Sequence, residues 1–316
     1  MTMDVTLAPV LALWLALAID ALLGEPPARL HPVVWMGRYL GWAGRHAAPP
    51  IGAVPAERFK PFMTATLAWW VGAAIVVTAA WAVAACAAQV HAVAAVLLVA
   101  VALKPLLAWR MLRDEVLAVE AALDVSLDAG RAQLARLVSR DVSALSESEV
   151  RESAIESLAE NLNDSVVAPV FWFVLLGLPG AALYRYANTA DAMWGYPGER
   201  NGRDWQWAGK WAARVDDGLS WVPARITALL LALVAWRWPR GLRREARRTP
   251  SPNSGWPMAA MALLLDVRLG KPGTYVLNAA GRAPVAGDAQ RAATFAARVV
   301  GVLAVAAALM LALPMP

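Results

Sequence analysis

The chain has 316 residues, of which 59% are hydrophobic and 17% charged, with a mean hydropathy of +0.48. An ordinary water-soluble domain is about 45–50% apolar and about 25% charged, so this composition argues against one. The formal net charge of +5 and the pI near 9.7 fit basic loops facing anionic lipid better than a nucleic-acid surface, and no nucleic-acid partner is expected.

The apolar residues fall in blocks. Residues 5–23 carry only Asp20, residues 63–88 and 90–103 carry no charge, and residues 292–316 carry only Arg298. A bilayer core takes roughly 20 apolar residues per helix, so membrane helices are expected near 5–23, 62–88, 90–109 and 292–314. Buried helices of a large soluble core are the competing reading, but runs this long suit lipid better. The first run has no Lys or Arg before Arg29 and is interrupted by Asp20. It therefore reads as a retained membrane helix rather than a secretory signal. The single cysteine, Cys86, rules out a disulfide framework, and His31, His46 and His91 are too scattered in sequence to suggest zinc.

Residues 24–60 form a Pro/Gly-rich loop bearing Arg29, Arg38, Arg45, Arg58 and Lys60. Residues 110–164 are polar and read as soluble helices. Ser146 with Glu149 three residues on fits a capping box, which predicts a helix over 147–162. Two further apolar segments, near 165–184 and 221–238, are interrupted by Pro169, Gly177, Pro179 and Gly180 in the first and by Pro223 and Arg225 in the second. Residues 237–291 hold ten Lys/Arg against three acids, which places them with residues 24–60 in the cytoplasm. Residues 164–237 then either cross the membrane twice or dip in as re-entrant segments, and the breaks favour the re-entrant form. The expected fold is an all-α, polytopic integral membrane protein with about 4–6 membrane-embedded helices and a cytoplasmic-side helical portion. It is read as a single membrane-embedded domain over 1–316, multi-pass in the cell (inner) membrane, with its polar segments facing the cytoplasm.

Five polar clusters interrupt this apolar pattern. Glu152, Glu156, Glu160 and Asp164 recur every fourth residue, which on a helix makes one carboxylate stripe. Like charges at that spacing repel unless water or a cation screens them. With Asn161 and Asn163 they supply hard oxygen donors suited to Mg²⁺, and a solvated helix face is the plainer alternative. Asn188 and Asp191 stand one helical turn apart ahead of Arg200, a mixture suited to a metal–phosphate site, or else to a capped helix and polar loop. Arg214, Asp216, Asp217 and Arg225 bring charge to the edge of an apolar segment, which is costly unless paired or metal-bound. Asp20, Gly24-Glu25-Pro26 and His31-Pro32 end the first membrane helix, where an acid is a functional candidate or simply reaches water. Ser251-Pro-Asn253-Ser-Gly-Trp-Pro257 is a turn-rich loop whose polar groups suit a ligand or form a bare turn. The sequence contains no P-loop, no G-x-G-x-x-G after a strand pattern, no G-x-S-x-G and no H-E-x-x-H.

Taken in order, these motifs resemble the CobD/CbiB family of integral-membrane cobalamin-biosynthesis proteins, the adenosylcobinamide-phosphate synthases. The motifs that carry the resemblance are Asp20-x-x-x-Gly-Glu-Pro with His31-Pro, Glu156-x-x-x-Glu160-Asn-x-x-Asp164, Asn188-Thr-x-Asp191-x-Met-x-Gly-Tyr196, Arg214-x-Asp216-Asp217 with Pro223-Ala-Arg225, and Ser251-Pro-Asn-x-Gly-Trp-Pro. The resemblance spans about residues 15–275, most of the chain. The family pattern implies Asn near position 220, where this chain has Ser220. The resemblance implies an ATP-dependent amide ligase that joins the propionate carboxyl of adenosylcobyric acid, a corrinoid, to aminopropanol or its phosphate.

On that resemblance, Glu156, Glu160 and Asp164 hold Mg²⁺–ATP or act as base. Asp216 and Asp217 ligate metal or orient the arginines, and Asn188 and Asp191 complete a metal set of Glu160, Asp164, Asp191 and Asp216. Arg200, Arg214 and Arg225 neutralise phosphate, with Asn161, His31 and Asn253 binding substrate or ATP. Other cobalamin-pathway proteins are expected partners alongside the lipid bilayer. The rival reading is a transporter, or a corrinoid-binding scaffold without catalysis, since intramembrane acids and broken helices also mark transport pathways.

Overall fold

A computed structural model describes residues 7–52 and 58–313. In chain order the helices are α1 (Ala8–Leu23), α2 (Pro32–Ala47), α3 (Phe59–Ala88), α4 (Ala92–Leu103), α5 (Trp109–Leu123), α6 (Leu127–Leu134), α7 (Glu147–Leu162) and α8 (Ala168–Trp194). The hairpin β1 (Glu199–Arg200) and β2 (Arg203–Asp204) comes next, then α9 (Lys210–Val234), α10 (Leu242–Ala246) and α11 (Gly255–Leu265). A second hairpin, β3 (Leu269–Lys271) with β4 (Tyr275–Leu277), precedes α12 (Asp288–Ala312). The protein is thus an all-α, multi-pass membrane protein. Among the described residues five helical stretches are long and apolar enough to cross a bilayer: Phe59–Ala88, Ala92–Leu123, Glu147–Trp194, Lys210–Val234 and Asp288–Ala312.

Several boundaries differ from the sequence expectation. The start of the 5–23 segment lies partly outside the described residues. The helix there, α1, has 16 residues, about 24 Å at 1.5 Å per residue and short of a bilayer core of about 30 Å. The expected helix over 90–109 is not continuous: α4 ends at Leu103 and a 3₁₀ turn spans Lys104–Leu106. Pro105 sits in that turn, where its missing N–H is tolerated. The break expected in the 165–184 segment is present within α8 at Gly177, whose φ of 65° and ψ of −159° suit glycine alone.

Two compact units are built from interleaved stretches. The first comprises residues up to 107, 168–219 and from 307 on. In it α3 packs on α8 and α2, and α1 packs on α4. Gly72 of α3 permits the close approach of α8, because a Cβ there would overlap the Tyr186 hydroxyl. That hydroxyl donates to Trp69 O at 3.1 Å, and Trp69 packs edge-on against Trp70 and Trp211. The β1–β2 hairpin turns through Asn201 and Gly202, both at positive φ, as a tight two-residue hairpin requires.

The second unit comprises residues 108–167 and 220–306. Its centre is α7, packed against α5, α6, α11 and β3. The capping box predicted at its start is present: the Ser146 hydroxyl accepts from Glu149 N, and Ser146 N donates to the Glu149 carboxylate at 2.7 Å. α7 is polar in composition yet buried along almost its whole length. At Leu162 it passes into a π turn over Asn163–Val167, which widens the helix by one residue and rotates the residues beyond it. The carboxylate stripe is therefore helical through Glu152, Glu156 and Glu160, while Asp164 falls in the π turn.

Candidate functional site

In the first unit the acid that ends α1 is not exposed. The side chains of Asp20 and Lys104 are only 1% and 4% exposed, and Lys104 Nζ stands 3.2 Å from Asp20 Oδ1 and 2.9 Å from Glu25 Oε2. Glu25 also meets His31 Nε2 at 2.9 Å. His31 is the N-cap of α2, and its Nδ1 accepts from Val33 N at 3.2 Å. An accepting Nδ1 places the neutral imidazole's proton on Nε2, which then donates to Glu25. Burial pushes the Glu25 carboxyl up, but the hydrogen bonds from His31 and Lys104 and the lysine's charge outweigh it, and the net lies below the usual carboxylate value. Asp20 and His31 were legible as candidates. Lys104 was missed, although a lone charge inside an apolar run is a functional signal in its own right.

The same unit holds the second and third motifs. Asn188 Nδ2 lies 3.5 Å from Asp216 Oδ1, which joins α8 to α9. Asp191 sits in the last turn of α8, where its carbonyl accepts from Gly195 N at 2.7 Å. Arg200 stacks over the Tyr196 ring at 4.1 Å and donates to Ala192 O at 3.2 Å. Arg214 is exposed on α9, and Asp217 is half-buried. An apolar cavity of about 430 Å³ lies between α2, α3, α4 and α8, with Leu30, Pro32, Pro105 and Tyr186 in its wall.

In the second unit the two buried carboxylates of α7 that belong to the stripe are paired with arginines. Glu152 is buried and receives Arg268 Nη2 at 3.0 Å from the start of β3. Glu156 is buried and is held by Arg140 at 3.1 Å and by the Tyr275 hydroxyl. Burial first, then the Glu156 charge, pushes the Tyr275 phenol above its usual value, so it remains a neutral donor at physiological pH. Asn161 donates to Ser157 O at 2.9 Å on its own helix. Asn163 donates to Asp164 at 2.7 Å, while its Oδ1 accepts from Thr227 of α9 at 3.0 Å. Glu160 and Asp164 are half-buried. Arg140, Arg268 and Tyr275 were not legible as partners; the excess of basic residues over 237–291 was a signal for Arg268 alone.

Arg225 and Asn253, singled out separately in the sequence, meet in this unit at 2.8 Å. The guanidinium also donates to Trp221 O at 2.7 Å and Pro252 O at 3.1 Å, and it lies over the Trp221 and Trp256 rings. Among the described residues, no three His, Cys, Asp or Glu groups are placed to hold a metal ion by themselves. Magnesium is usually held by one or two carboxylates together with substrate phosphates; of the expected metal set, Glu160 and Asp164 lie on α7 and its π turn, and Asp191 and Asp216 on α8 and α9.

A family described as "CobD/Cbib protein" matches residues 13–306. A "Probable cobalamin biosynthesis protein CobD" from Methanothermobacter thermautotrophicus is 40% identical, with 86% of this chain and 88% of the relative aligned. A "Cobalamin biosynthesis protein CobD" from Halalkalibacterium halodurans is 38% identical, with 84% and 82% aligned. A protein of that same name from Brucella suis is 37% identical, with 86% and 87% aligned. No solved structure matches the chain.

Proposed function

Because the chain belongs to the CobD/CbiB family of cobalamin-biosynthesis proteins, we propose that it forms an amide bond at the expense of ATP. The acid is the propionate carboxyl of adenosylcobyric acid, and the amine is aminopropanol or its phosphate. A carboxylate does not react with an amine at neutral pH until one of its oxygens becomes a leaving group. Attack of that oxygen on the γ-phosphorus of ATP releases ADP and leaves an acyl phosphate. The amine nitrogen then attacks the acyl carbon, and phosphate departs as the C–N bond forms. The proton lost from nitrogen goes to a carboxylate.

The single observation that supports this reading is the unbroken order of the five polar motifs within a family match covering residues 13–306. Glu156, Glu160 and Asp164 are the candidate base and ligands along α7 and its π turn. Asn188, Asp191, Asp216 and Asp217 offer further oxygen donors, and Arg200, Arg214 and Arg225 offer charge to phosphate. Magnesium, when bound, offsets the negative charge of the phosphate oxygens. We place the protein in the inner membrane with this chemistry facing the cytoplasm, where ATP is found.

The test is purified protein with adenosylcobyric acid, ATP, Mg²⁺ and either amine, followed by mass spectrometry for the amide. A product with the expected mass supports the ligase, whereas its absence with each amine overturns it in favour of a transporter or scaffold. Replacing Glu160 with Ala is expected to lower turnover by about 10²-fold or more if it acts as base, with membrane insertion unchanged. Near-normal turnover removes Glu160 from the site.

A further inference from the structure

The second unit carries a groove in which the proposed reaction gives a role to Arg225 alone. Two adjoining hollows share Arg243, Arg247 and Trp256. The one that also includes Arg225 and Trp221 has a volume of about 710 Å³, and Trp238 lines the other. No Asp or Glu lines either hollow.

This lack of acid is built into the pairing pattern. Glu245, buried in α10, takes Arg244 at 3.3 Å and Arg248 at 3.0 Å, and it accepts Asn278 N at 2.9 Å. Among the described residues no carboxylate lies within ion-pair range of Arg225, Arg243 or Arg247. Arg243 and Arg247 are four residues apart, a spacing at which like charges on a helix repel. Arg225 is immobilised by neutral acceptors only: Trp221 O, Asn253 Oδ1 and Pro252 O. Its guanidinium sits 4.4 Å from the Trp221 ring centre and 4.8 Å from that of Trp256, where it is fixed in direction but not neutralised.

The frame around these groups is rigid. Thr249 Oγ1 donates to Ala246 O, and Ser251 Oγ accepts from Asn253 N and Ser254 N. Gly255 packs so tightly that a Cβ would overlap Ala246 O, which explains the glycine of the Ser-Pro-Asn-Ser-Gly-Trp-Pro motif. Arg243 and Arg247 are exposed and Arg225 is half-buried, and all three line one hollow without a carboxylate in its wall, so they are available to an anion. A phosphate, unlike a single carboxylate, has the oxygens to accept from more than one guanidinium fork.

We propose that this groove is a phosphate-recognition site, with Arg225, Arg243 and Arg247 gripping the phosphate and the indoles of Trp221, Trp256 and Trp238 flanking the group attached to it. It takes either the headgroup phosphate of an anionic lipid or the phosphate of a soluble ligand. The proposal deepens the reading of Arg225 as a phosphate ligand, yet its test does not depend on whether the amide forms.

The probes are inorganic pyrophosphate, titrated calorimetrically into protein held in phosphatidylcholine nanodiscs, and phosphatidylglycerol, followed by native mass spectrometry after mixed-lipid reconstitution. At least one probe is expected to bind the full-length protein. The double variant R243Q/R247Q is expected to weaken that binding by about tenfold or more, while the charge-matched control R29Q/R240Q, at two exposed arginines outside the groove, keeps it within about twofold. Pyrophosphate binding assigns the site to a soluble ligand, and phosphatidylglycerol retention alone assigns it to lipid; both support the groove. Binding of neither probe, or equal loss in the control, overturns it. Amide formation measured on the same samples separates the two readings: product without phosphate binding fails the groove alone, and binding without product fails the ligase alone.

Discussion

The two units solve the same electrostatic problem differently. In the first, Asp20 and Lys104 are both sealed from water, and one ammonium serves Asp20 and Glu25 together. In the second, Glu152 and Glu156 are sealed, but the Arg268 side chain that serves Glu152 is 42% exposed and the Arg140 side chain that serves Glu156 is 17% exposed. A lysine is a compact point charge that can sit between two carboxylates. An arginine lays its stem along apolar surface and keeps part of its delocalised head in water. The first arrangement is therefore a closed structural core of charge. The second leaves a charged surface that a ligand can reach.

Removing the sealed cation tests this contrast hardest. Lys104→Met leaves the buried Asp20 without its counter-charge, while Glu25 keeps His31, and breaking a buried pair in this way costs about 3–5 kcal/mol. Thermal unfolding in detergent should fall sharply for K104M and recover in part when Asp20 is changed to Asn in the same chain. If K104M unfolds like the parent, the lysine is not what stabilises those acids.

Tyr275→Phe tests the second unit. It removes a neutral donor from Glu156 but leaves Arg140 in place, so a smaller loss of about 1.5–3 kcal/mol is expected in the same measurement. An equal or larger loss than K104M would invert the comparison. Ser146→Ala removes one arm of the α7 capping box and is expected to cost about 1 kcal/mol. Amide exchange along α7 should show that loss as fraying confined to the first turn.

The smallest effect is on pH dependence. Glu25 has a carboxyl pKa below its reference value of 4.5. A depressed folded-state pKa contributes stability that is fully present above the unfolded value and is lost as pH falls through the folded one. Melting temperature should therefore decline as pH drops below about 4.5, and Glu25→Gln should flatten that part of the curve. A profile unchanged by the substitution would place the acid sensitivity elsewhere.

Much of this was legible because its cause is local. The apolar blocks forecast α3 and α12 because a membrane-length helix needs only an uninterrupted run. Ser146 and Glu149 forecast the start of α7 because both arms of a capping box lie within one turn. Gly177 forecast a break because only glycine takes that backbone conformation readily. The membrane helix expected over 90–109 falls within the Ala92–Leu123 stretch, and hydropathy alone does not reveal the turn at Lys104–Leu106 that interrupts it.

The candidate site was legible as residue types and illegible as contacts. The acids of α7 announced themselves by spacing, but repulsion along a stripe does not say which cations relieve it. Arg268 meets Glu152 across 116 residues of sequence, Tyr275 meets Glu156 across 119, and Lys104 reaches back to Asp20. Alone, then, the sequence determined the membrane class, most helical segments and the inventory of chemistry, since periodicity, caps and hydropathy act over a few residues; it misread residues 24–60 as a loop, where α2 forms over Pro32–Ala47. The choice of partner for each buried charge was left to the tertiary structure, because a Coulomb contact depends on distance in space and only chain closure sets that distance.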